Sequence, residues 1–524
     1  MNQSHIEKSI VQQLIKAKPS NSRELNYLVK KLASSYKIPS PKRIKLLSAY
    51  HKLAKSGNKD LGLKKLLKKR EIRTLSGVAV IAVLTKPYKC PGECVFCPNE
   101  KKMPKSYIYN EPAVMRAILC KFDPFKQVQM RLRALAMTGH ETDKCELIVM
   151  GGTWTYLPHK YQDWFLKRCF DAFNEKTAKN LTQAQKWNET AKYRVIGLTL
   201  ETRPDYINIP EIKRMRELGA TRVEIGVQAI DDKILKFNNR GHLTKEVIGA
   251  TKLLKDAGFK ISYHMMPNLP GSNPNKDLKM FKQLFHDQNY QPDMLKIYPC
   301  VVTDTAKIYR WYKSGKFRPY TDKQLIDLLI KIKKIIPPYV RLSRIIRDIP
   351  SESIVAGNKI SNLRQLIAEK FQKDKNICQC IRCREARSKR FEIKDLRLKI
   401  KKYKASHGIE YFLSYESKDK KTLFAFLRLR ILKKVDQNLL KALPELKDAA
   451  LIREVHTYGE LIPIKSKHKA VQHIGLGKKL IQQAEKISKK QGFNKIAVIS
   501  GIGVREYYKN LGYHLQNTYM IKNL

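Results

Sequence analysis

Short segments with recurring apolar positions run through the middle of this chain, at residues 78–84, 146–150, 195–200, 222–227, 261–265, 294–298 and 340–345. Each has the length of a strand, which predicts a series of buried β-strands. Between most of them apolar residues fall at helical spacing instead, as in 212–218 and 246–256. Strands alternating with helices predict βα units around a parallel sheet, an α/β fold.

The flanks carry other patterns. In residues 1–75, Ile10, Leu14, Leu28, Leu32, Leu46 and Leu53 stand at helical intervals among charges, and predict a basic helical segment. Residues 351–405 read as a connector ending in a dense basic stretch up to Lys402. Beyond it, strand signals at 424–429, 451–456 and 496–499 flank a glycine turn and an amphipathic helix at 476–487. Four units are expected: 1–75, 76–350, 351–405 and 406–524. No internal repeat stands out.

Charge narrows the class. Lys and Arg number 104 against 47 Asp and Glu, a formal net charge of +57. Acidic residues have not risen with the lysines, so this is more than high charge content. A field of that sign attracts polyanions, and nucleic acid is the first expectation. The run 61–70 (LGLKKLLKKR) would by itself read as a solvated face. Its place just ahead of the barrel region favours a nucleic-acid grip. No apolar run has spanning length and no apolar h-region opens the chain. No membrane partner is expected, and the cysteine spacings fit metal sites in a reducing, cytoplasmic setting.

Cys90, Cys94 and Cys97 stand at the spacing C-x3-C-x2-C, after the first strand run. Three thiolates on one loop can hold three irons of a [4Fe–4S] cluster and leave the fourth iron open to a small molecule. A structural zinc would want a fourth Cys or His, and none lies close by in sequence. With S-adenosylmethionine (SAM) on the open iron, one-electron reduction can yield a 5′-deoxyadenosyl radical. Phe96, just before the third cysteine, resembles the aromatic of radical SAM enzymes.

A second motif, Q-x-x-G-x-G, spans Gln472, Gly475 and Gly477. Glycines let the backbone approach a pyrophosphate, and the N–H groups of a helix start point at the anion. A strand lies before the turn, an amphipathic helix and another strand after it, then Tyr507 and Tyr508. That order resembles the GNAT acetyltransferases. The resemblance implies that Val471, Gln472, His473, Gly475 and Gly477 hold acetyl-CoA. It also implies that Tyr507 or Tyr508 acts near the thioester sulfur, with core packing the alternative for one of them.

Taken together, the chain resembles the Elongator catalytic subunit family from about Glu71 to its end. The likeness rests on strings such as Met150-Gly-Gly-Thr153, Glu201-Thr-Arg-Pro-Asp-Tyr206, Glu224-Ile-Gly-Val-Gln228, Asn239-Arg-Gly-His242, His264-Met-Met-Pro267, Leu295-Lys-Ile-Tyr-Pro299 and Arg453-Glu-Val-His456. It implies a partial TIM-type radical SAM barrel plus a GNAT-like α+β domain. It also implies carboxymethylation of C5 of the wobble uridine in a tRNA anticodon stem-loop. In that chemistry the adenosyl radical takes a hydrogen from the acetyl-CoA methyl group. The carbon radical adds to C5, and thioester hydrolysis leaves the carboxymethyl group. An electron donor is required, and a homodimer or accessory subunits stay open. The competing expectation is a protein lysine acetyltransferase with a structural iron–sulfur region. The basic front disfavours it, because basic protein tails would be repelled.

Individual residues each have a plainer reading beside the functional one. Gly151, Gly152 and Thr153 follow a strand end and can admit the methionine part of SAM, or form a plain tight turn. Glu201 and Arg203, also at a strand end, can hold an amine or ribose and a carboxylate, or pair at the surface. Gln228 and His264 end later strands, as cofactor contacts or satisfied core groups. Lys296 alternates with apolar neighbours, so it is expected to point into the barrel, need a partner there and contact cofactor, which makes it a catalytic candidate. By the family likeness Lys144 touches acetyl-CoA from the barrel side. Glu454, Val455, His456 and Thr457 lie where GNAT strands pair with pantetheine, and His456 as a base is less expected than a structural histidine. Cys378, Cys380 and Cys383 look like three zinc ligands on a turn, with a histidine, Cys300 or another chain as the fourth. Cys120, Cys145 and Cys169 read as core.

Overall fold

The computed structural model describes residues 2–55, 60–67, 77–386, 396–458 and 475–524. Seven strands form the central sheet: β1 (Ala79–Leu84), β2 (Lys144–Met150), β3 (Arg194–Thr202), β4 (Arg222–Gln228), β5 (Lys260–Met265), β6 (Met294–Ile297) and β7 (Arg341–Arg344). They lie in sequence order, every neighbour parallel. Helices such as Pro124–Met137, His159–Asn174, Thr244–Asp256 and Asp322–Ile335 connect them and bury their apolar faces against the sheet. A sheet that adds each strand beside the last, with helices outside, curls into a partial barrel. All seven strand expectations fall on these strands.

A second sheet of seven strands is mixed. It contains β8 (Leu396–Ala405), β9 (Gly408–Ser417), β10 (Leu423–Ile431), β11 (Ala449–Thr457), β12 (Lys495–Val498), β13 (His514–Gln516) and β14 (Tyr519–Asn523). The order is β13-β14-β12-β11-β10-β9-β8. Among the described residues of this sheet, only β11 and β12 pair in parallel. The helix Leu476–Lys490 packs on β10 and β11. Residues 396–405, expected within a connector, are thus the edge strand of this sheet.

The second sheet sits on the N-terminal ends of the barrel strands. Arg453 on β11 bonds Asp293, just before β6, and donates to the Phe259 carbonyl, just before β5, at 2.6 Å. Arg428 on β10 donates to the Tyr339 carbonyl, before β7, at 2.7 Å. Tyr519 donates to the Ala257 carbonyl at 2.7 Å. Both sheets share one continuous apolar core. Ahead of the barrel, helices Gln3–Ala17, Ser22–Ser35, Arg43–Lys55 and Leu61–Leu67 enclose a separate small core around Ile10, Leu14, Leu25 and Leu46. Among the described residues no helix is long and apolar enough to cross a membrane.

Candidate functional site

The cysteine loop follows β1 at its C-terminal end. Loop backbone is pinned by Val95 N–H to the Asn238 carbonyl (3.1 Å) and by Ile308 N–H to the Val95 carbonyl (2.7 Å). Cys94 is buried and meets Arg240 Nη1 at 3.4 Å; Cys90 and Cys97 are half-buried. Burial, with Cys94 and Cys90 beside it, pushes the Cys97 thiol up to about 12. Any ion binding there must therefore displace a proton. A Cβ on Gly92 would stand 2.1 Å from Arg203 Nη1, so only glycine lets that guanidinium approach the loop. Arg203 is held by Asp205 (2.7 Å) and the Arg240 carbonyl (2.8 Å), while its Nη1 is buried without a partner, as a donor awaiting a ligand would be.

Spacing distinguishes the two cysteine triads. Zinc–sulfur bonds of ~2.3 Å draw thiolates to about 3.8 Å of one another. The sulfurs of Cys378, Cys380 and Cys383 lie within 4.8 Å of one another, whereas Cys90, Cys94 and Cys97 form no such tight group. The wider set fits separate irons of one cluster. Among the described residues the tight triad gathers no fourth His, Cys, Asp or Glu, and Cys300 is not part of it. It bridges the two sheets. Ile381 N–H bonds the Val340 carbonyl at 3.0 Å, and Ala386 N–H the Leu423 carbonyl at 2.8 Å. Cys120, Cys145 and Cys169 are buried in the core.

Inside the barrel, alternate residues of each strand face one another. Gly151, at φ 134°, turns the chain after β2, and a Cβ there would stand 2.0 Å from Thr85 Oγ1. Gly152 follows at φ 96°, and the Thr153 hydroxyl lies 3.7 Å from Cys90 Sγ. Glu201 accepts from the Tyr107 hydroxyl at 2.7 Å. Glu224 on β4 takes Lys296 from β6 and His264 Nε2 from β5, the latter at 2.9 Å. Burial alone would raise the Glu224 carboxyl, but Lys296 and then His264 hold it well below the usual carboxylate range. Lys296 rises in turn, because Glu224 outweighs its own desolvation. One layer nearer the N-terminal ends, Arg222 bonds Glu146 at 2.5 Å. Gln228, at φ 68°, keeps a buried Oε1 with no partner.

The second sheet brings a different set. Register pairs Ile452 of β11 with Val498 of β12 and goes no further. On its other side β11 stays paired to β10 through Thr457. The backbone edge from Arg453 to Thr457 is therefore open toward β12. The Glu454 carboxylate accepts from Arg428 at 2.8 Å, and the His456 ring packs on Phe426 and Tyr458. Gly475 (φ 75°) caps the helix Leu476–Lys490. A Cβ on Gly477 would stand 3.1 Å from Tyr507 Oη, so the tyrosine crosses the mouth of the turn. Tyr508 is buried and packs edge to face on Tyr513. Val471, Gln472 and His473 lie outside the described residues.

One cavity of about 1300 Å³ joins the two sets. At the C-terminal ends of the barrel strands it is lined by the three cysteines, Gly152, Thr153, Glu201 and Arg203. Its walls include Glu224, Gln228, His264 and Lys296. At the N-terminal ends it is lined by Lys144, Glu454, Val455, His456, Thr457, Gly475, Gly477, Tyr507 and Tyr508. Burial pulls the Lys144 ammonium down from its ordinary value.

Sequence reasoning did not single out Glu224, Arg240, Tyr107 or Arg347, although all line this cavity. Glu224 had a visible signal: it stands four residues before Gln228, on the same strand face. Arg240 and Arg347 come from loops, where no periodicity points.

Comparison with known proteins agrees with this geometry. Residues 85–284 match the Radical SAM superfamily, and 292–373 the Radical_SAM C-terminal domain. The tRNA uridine(34) acetyltransferase of Methanocaldococcus jannaschii is 46% identical over 479 residues, 88% of this chain and 87% of that protein. Human Elongator complex protein 3 is 36% identical over 544 residues, 98% of this chain and 96% of that one. The solved archaeal Methanocaldococcus infernus Elp3 with an N-terminal deletion superposes with a TM-score of 0.74 at 42% identity, covering 86% of this chain and 100% of that one. A radical SAM fold implies a [4Fe–4S] cluster and SAM, and the chain carries a cysteine triad on the loop after β1.

Proposed function

From the premise that this chain belongs to the family of the tRNA uridine(34) acetyltransferases and Elongator complex protein 3, we propose that it carboxymethylates C5 of the wobble uridine of tRNA, using acetyl-CoA and SAM. The observation that carries this reading is the single cavity with two chemically different ends. A reaction that couples a reducible cluster to a thioester needs both within one water-poor space.

At one end Cys90, Cys94 and Cys97 hold the cluster, and Arg240 tempers the charge on Cys94. Bound there with SAM, the cluster supplies a radical able to abstract hydrogen from an unactivated methyl group. Gly151, whose turn leaves no room for a Cβ against Thr85, and Gly152, which lines the cavity, would offer backbone groups to the methionine part of SAM. Arg203, whose Nη1 has no protein partner, can hold its carboxylate. Glu201, Gln228 and His264 take its amine and ribose. Lys296 stays protonated against Glu224 and keeps a positive charge at the cavity wall.

At the other end the reading is a GNAT-like domain. Its support is the parting of β11 and β12 beyond Ile452, which exposes a strand edge. Glu454 to Thr457 offer that edge to the pantetheine amides. Gly475 and Gly477 let pyrophosphate approach the helix start. Tyr507 stands over the same turn, ready to donate to a departing thiolate, and Tyr508 supports it from the core. Lys144 reaches the acyl-CoA from the barrel side. Cys378, Cys380 and Cys383 are read as a zinc clip between barrel and second sheet. The domains expected at 1–75, 76–350, 351–405 and 406–524 become, in this reading, tRNA grip, radical SAM barrel, clip and acetyl-CoA domain, with the start of the last moved back to take in β8.

The test is a Cys94→Ala variant reconstituted with iron and sulfide, beside wild type. Visible absorbance and conversion of uridine to carboxymethyluridine, read by mass spectrometry with tRNA, SAM, reductant and acetyl-CoA, should both vanish. tRNA affinity should stay unchanged. Acetylated protein lysine with no nucleoside change in wild type would sink the reading.

A further inference from the structure

The proposed reaction leaves unused a strip of aromatic side chains on the segments that follow β1, β2 and β3, beside the cysteine loop. Tyr88 stands two residues before Cys90 and meets Tyr156 edge to face at a centroid distance of 6.2 Å. Tyr156 meets Tyr206 at 5.6 Å. On the other flank Tyr161 and Trp164 lie 5.6 Å apart. The Lys86 ammonium lies 4.8 Å from the Tyr161 ring centre, and its backbone N–H donates to the Tyr161 hydroxyl at 3.0 Å.

These rings come from the segments that follow β1, β2 and β3. Their meeting is therefore a product of the fold and not of sequence neighbourhood. Tyr88, Tyr156 and Trp164 are 42%, 41% and 45% exposed. Lys86 and Lys89 beside them are exposed as well. A contiguous exposed aromatic surface marks an interaction site. Here the rings are interleaved with cations, the pattern that takes bases on the rings and phosphates on the ammonium groups.

The chemistry of extrusion points the same way. Flipping a base out of a loop strips its neighbours of a stacking partner. Rings beside the cysteine loop can replace that partner for any base identity, since every base has a π face. We propose that the Tyr88–Tyr156–Tyr206 strip, with Tyr161 and Trp164, is a stacking platform for the unpaired bases that flank the target uridine. This rests on the proposed tRNA reaction. A protein electron donor is the other partner class such a strip could face, and the test separates them.

The probe is an anticodon stem-loop RNA carrying 2-aminopurine next to the target uridine, used beside the full tRNA. With wild type, stacking should quench the 2-aminopurine fluorescence. Tyr88→Ala and Tyr156→Ala should lose the quench and raise Kd about tenfold. The slope of log K against log salt should stay the same, because no phosphate contact is removed. Tyr88→Phe and Tyr156→Phe should keep both quench and affinity. Unchanged thermal midpoints would confirm that the alanine variants fold.

Alanine variants that bind and quench like wild type would overturn the platform while leaving the proposed function standing. So would variants that bind RNA normally but whose cluster is reduced slowly by a protein donor and at the usual rate by dithionite. Wild-type protein that neither binds nor modifies the RNA would overturn both readings.

Discussion

Lys296 and His264 reach Glu224 from successive neighbouring strands, so three residues of unlike charge share one buried spot. Removing one partner of such a group leaves an uncompensated buried charge. Lys296→Met should therefore cost about 3–5 kcal/mol in urea unfolding at pH 7. Adding Glu224→Gln to it should recover most of the loss, the signature of a coupled pair. The pH window follows from the directions of the shifts. Glu224 is held far below its ordinary pKa, so its contribution is complete above about pH 4.5 and fades only as pH falls through the folded-state value. Lys296 is raised, so its contribution is complete below its unfolded pKa and fades only in strong alkali. The Lys296→Met penalty should thus be flat from about pH 5 to about pH 9. Lys296 was legible in the sequence because a lone lysine between apolar neighbours has one face to point to. Its carboxylate partner was not singled out, because a glutamate in a strand looks the same whether it faces solvent or a lysine.

The central strands were legible because each keeps apolar residues of strand length for the face that the helices cover, while polar residues such as Glu224 and Lys296 face the cavity. β8 was not. It alternates Leu396, Leu398 and Ile400 with lysine and arginine, and Leu398 and Ile400 are exposed. It is an edge strand guarded by charge, so its composition resembles a basic connector. The docking of the second sheet depends on glycines that no local pattern distinguishes. A Cβ on Gly501 would stand 2.2 Å from the Ile196 carbonyl oxygen on β3, and one on Gly503 2.6 Å from Arg194 Cβ. The obstacle at Gly501 is backbone, which cannot swing aside. Gly501→Ala should force the turn Ile502–Val504 off the barrel and cost about 3 kcal/mol. If the two ends of the cavity work as one site, it should also cut tRNA modification at least tenfold while SAM cleavage without tRNA persists. Equal loss of both activities would place the effect in general unfolding.

At the scale of the whole molecule, charge acts twice. The N-terminal helices carry a core of their own, and the chain as a whole is +57. Deleting residues 1–70 should weaken tRNA binding and flatten its salt dependence, since each lost phosphate contact lowers the slope by about 0.7 to 0.9. Equal slopes with and without the segment would assign the grip elsewhere. Between the sheets charge is buried instead. Arg453 bonds Asp293 and Glu410, Arg430 bonds Asp256 and Glu410, and Arg428 bonds Glu454. This network fixes the second sheet on the barrel, and so sets the length of the cavity between the two chemical ends. Lys255 is the weak member: fully buried, it lies 3.7 Å from Asp293 and 3.9 Å from Glu410 and hydrogen-bonds neither. Burial brings its pKa down to about 8, against the partial support of Asp293. Between about pH 8 and 10.5 the unfolded chain then binds a proton that the folded chain has released. Stability should rise with pH across that window, against the fall expected from surface lysines. Lys255→Met should remove the rise and match or exceed wild-type stability at pH 7, because a packed apolar side chain replaces a poorly bonded buried charge. Urea titrations at pH 7, 8.5 and 10 measure both effects. A variant that is several kcal/mol less stable at pH 7 would make Lys255 an integral part of the clamp and not its loose end.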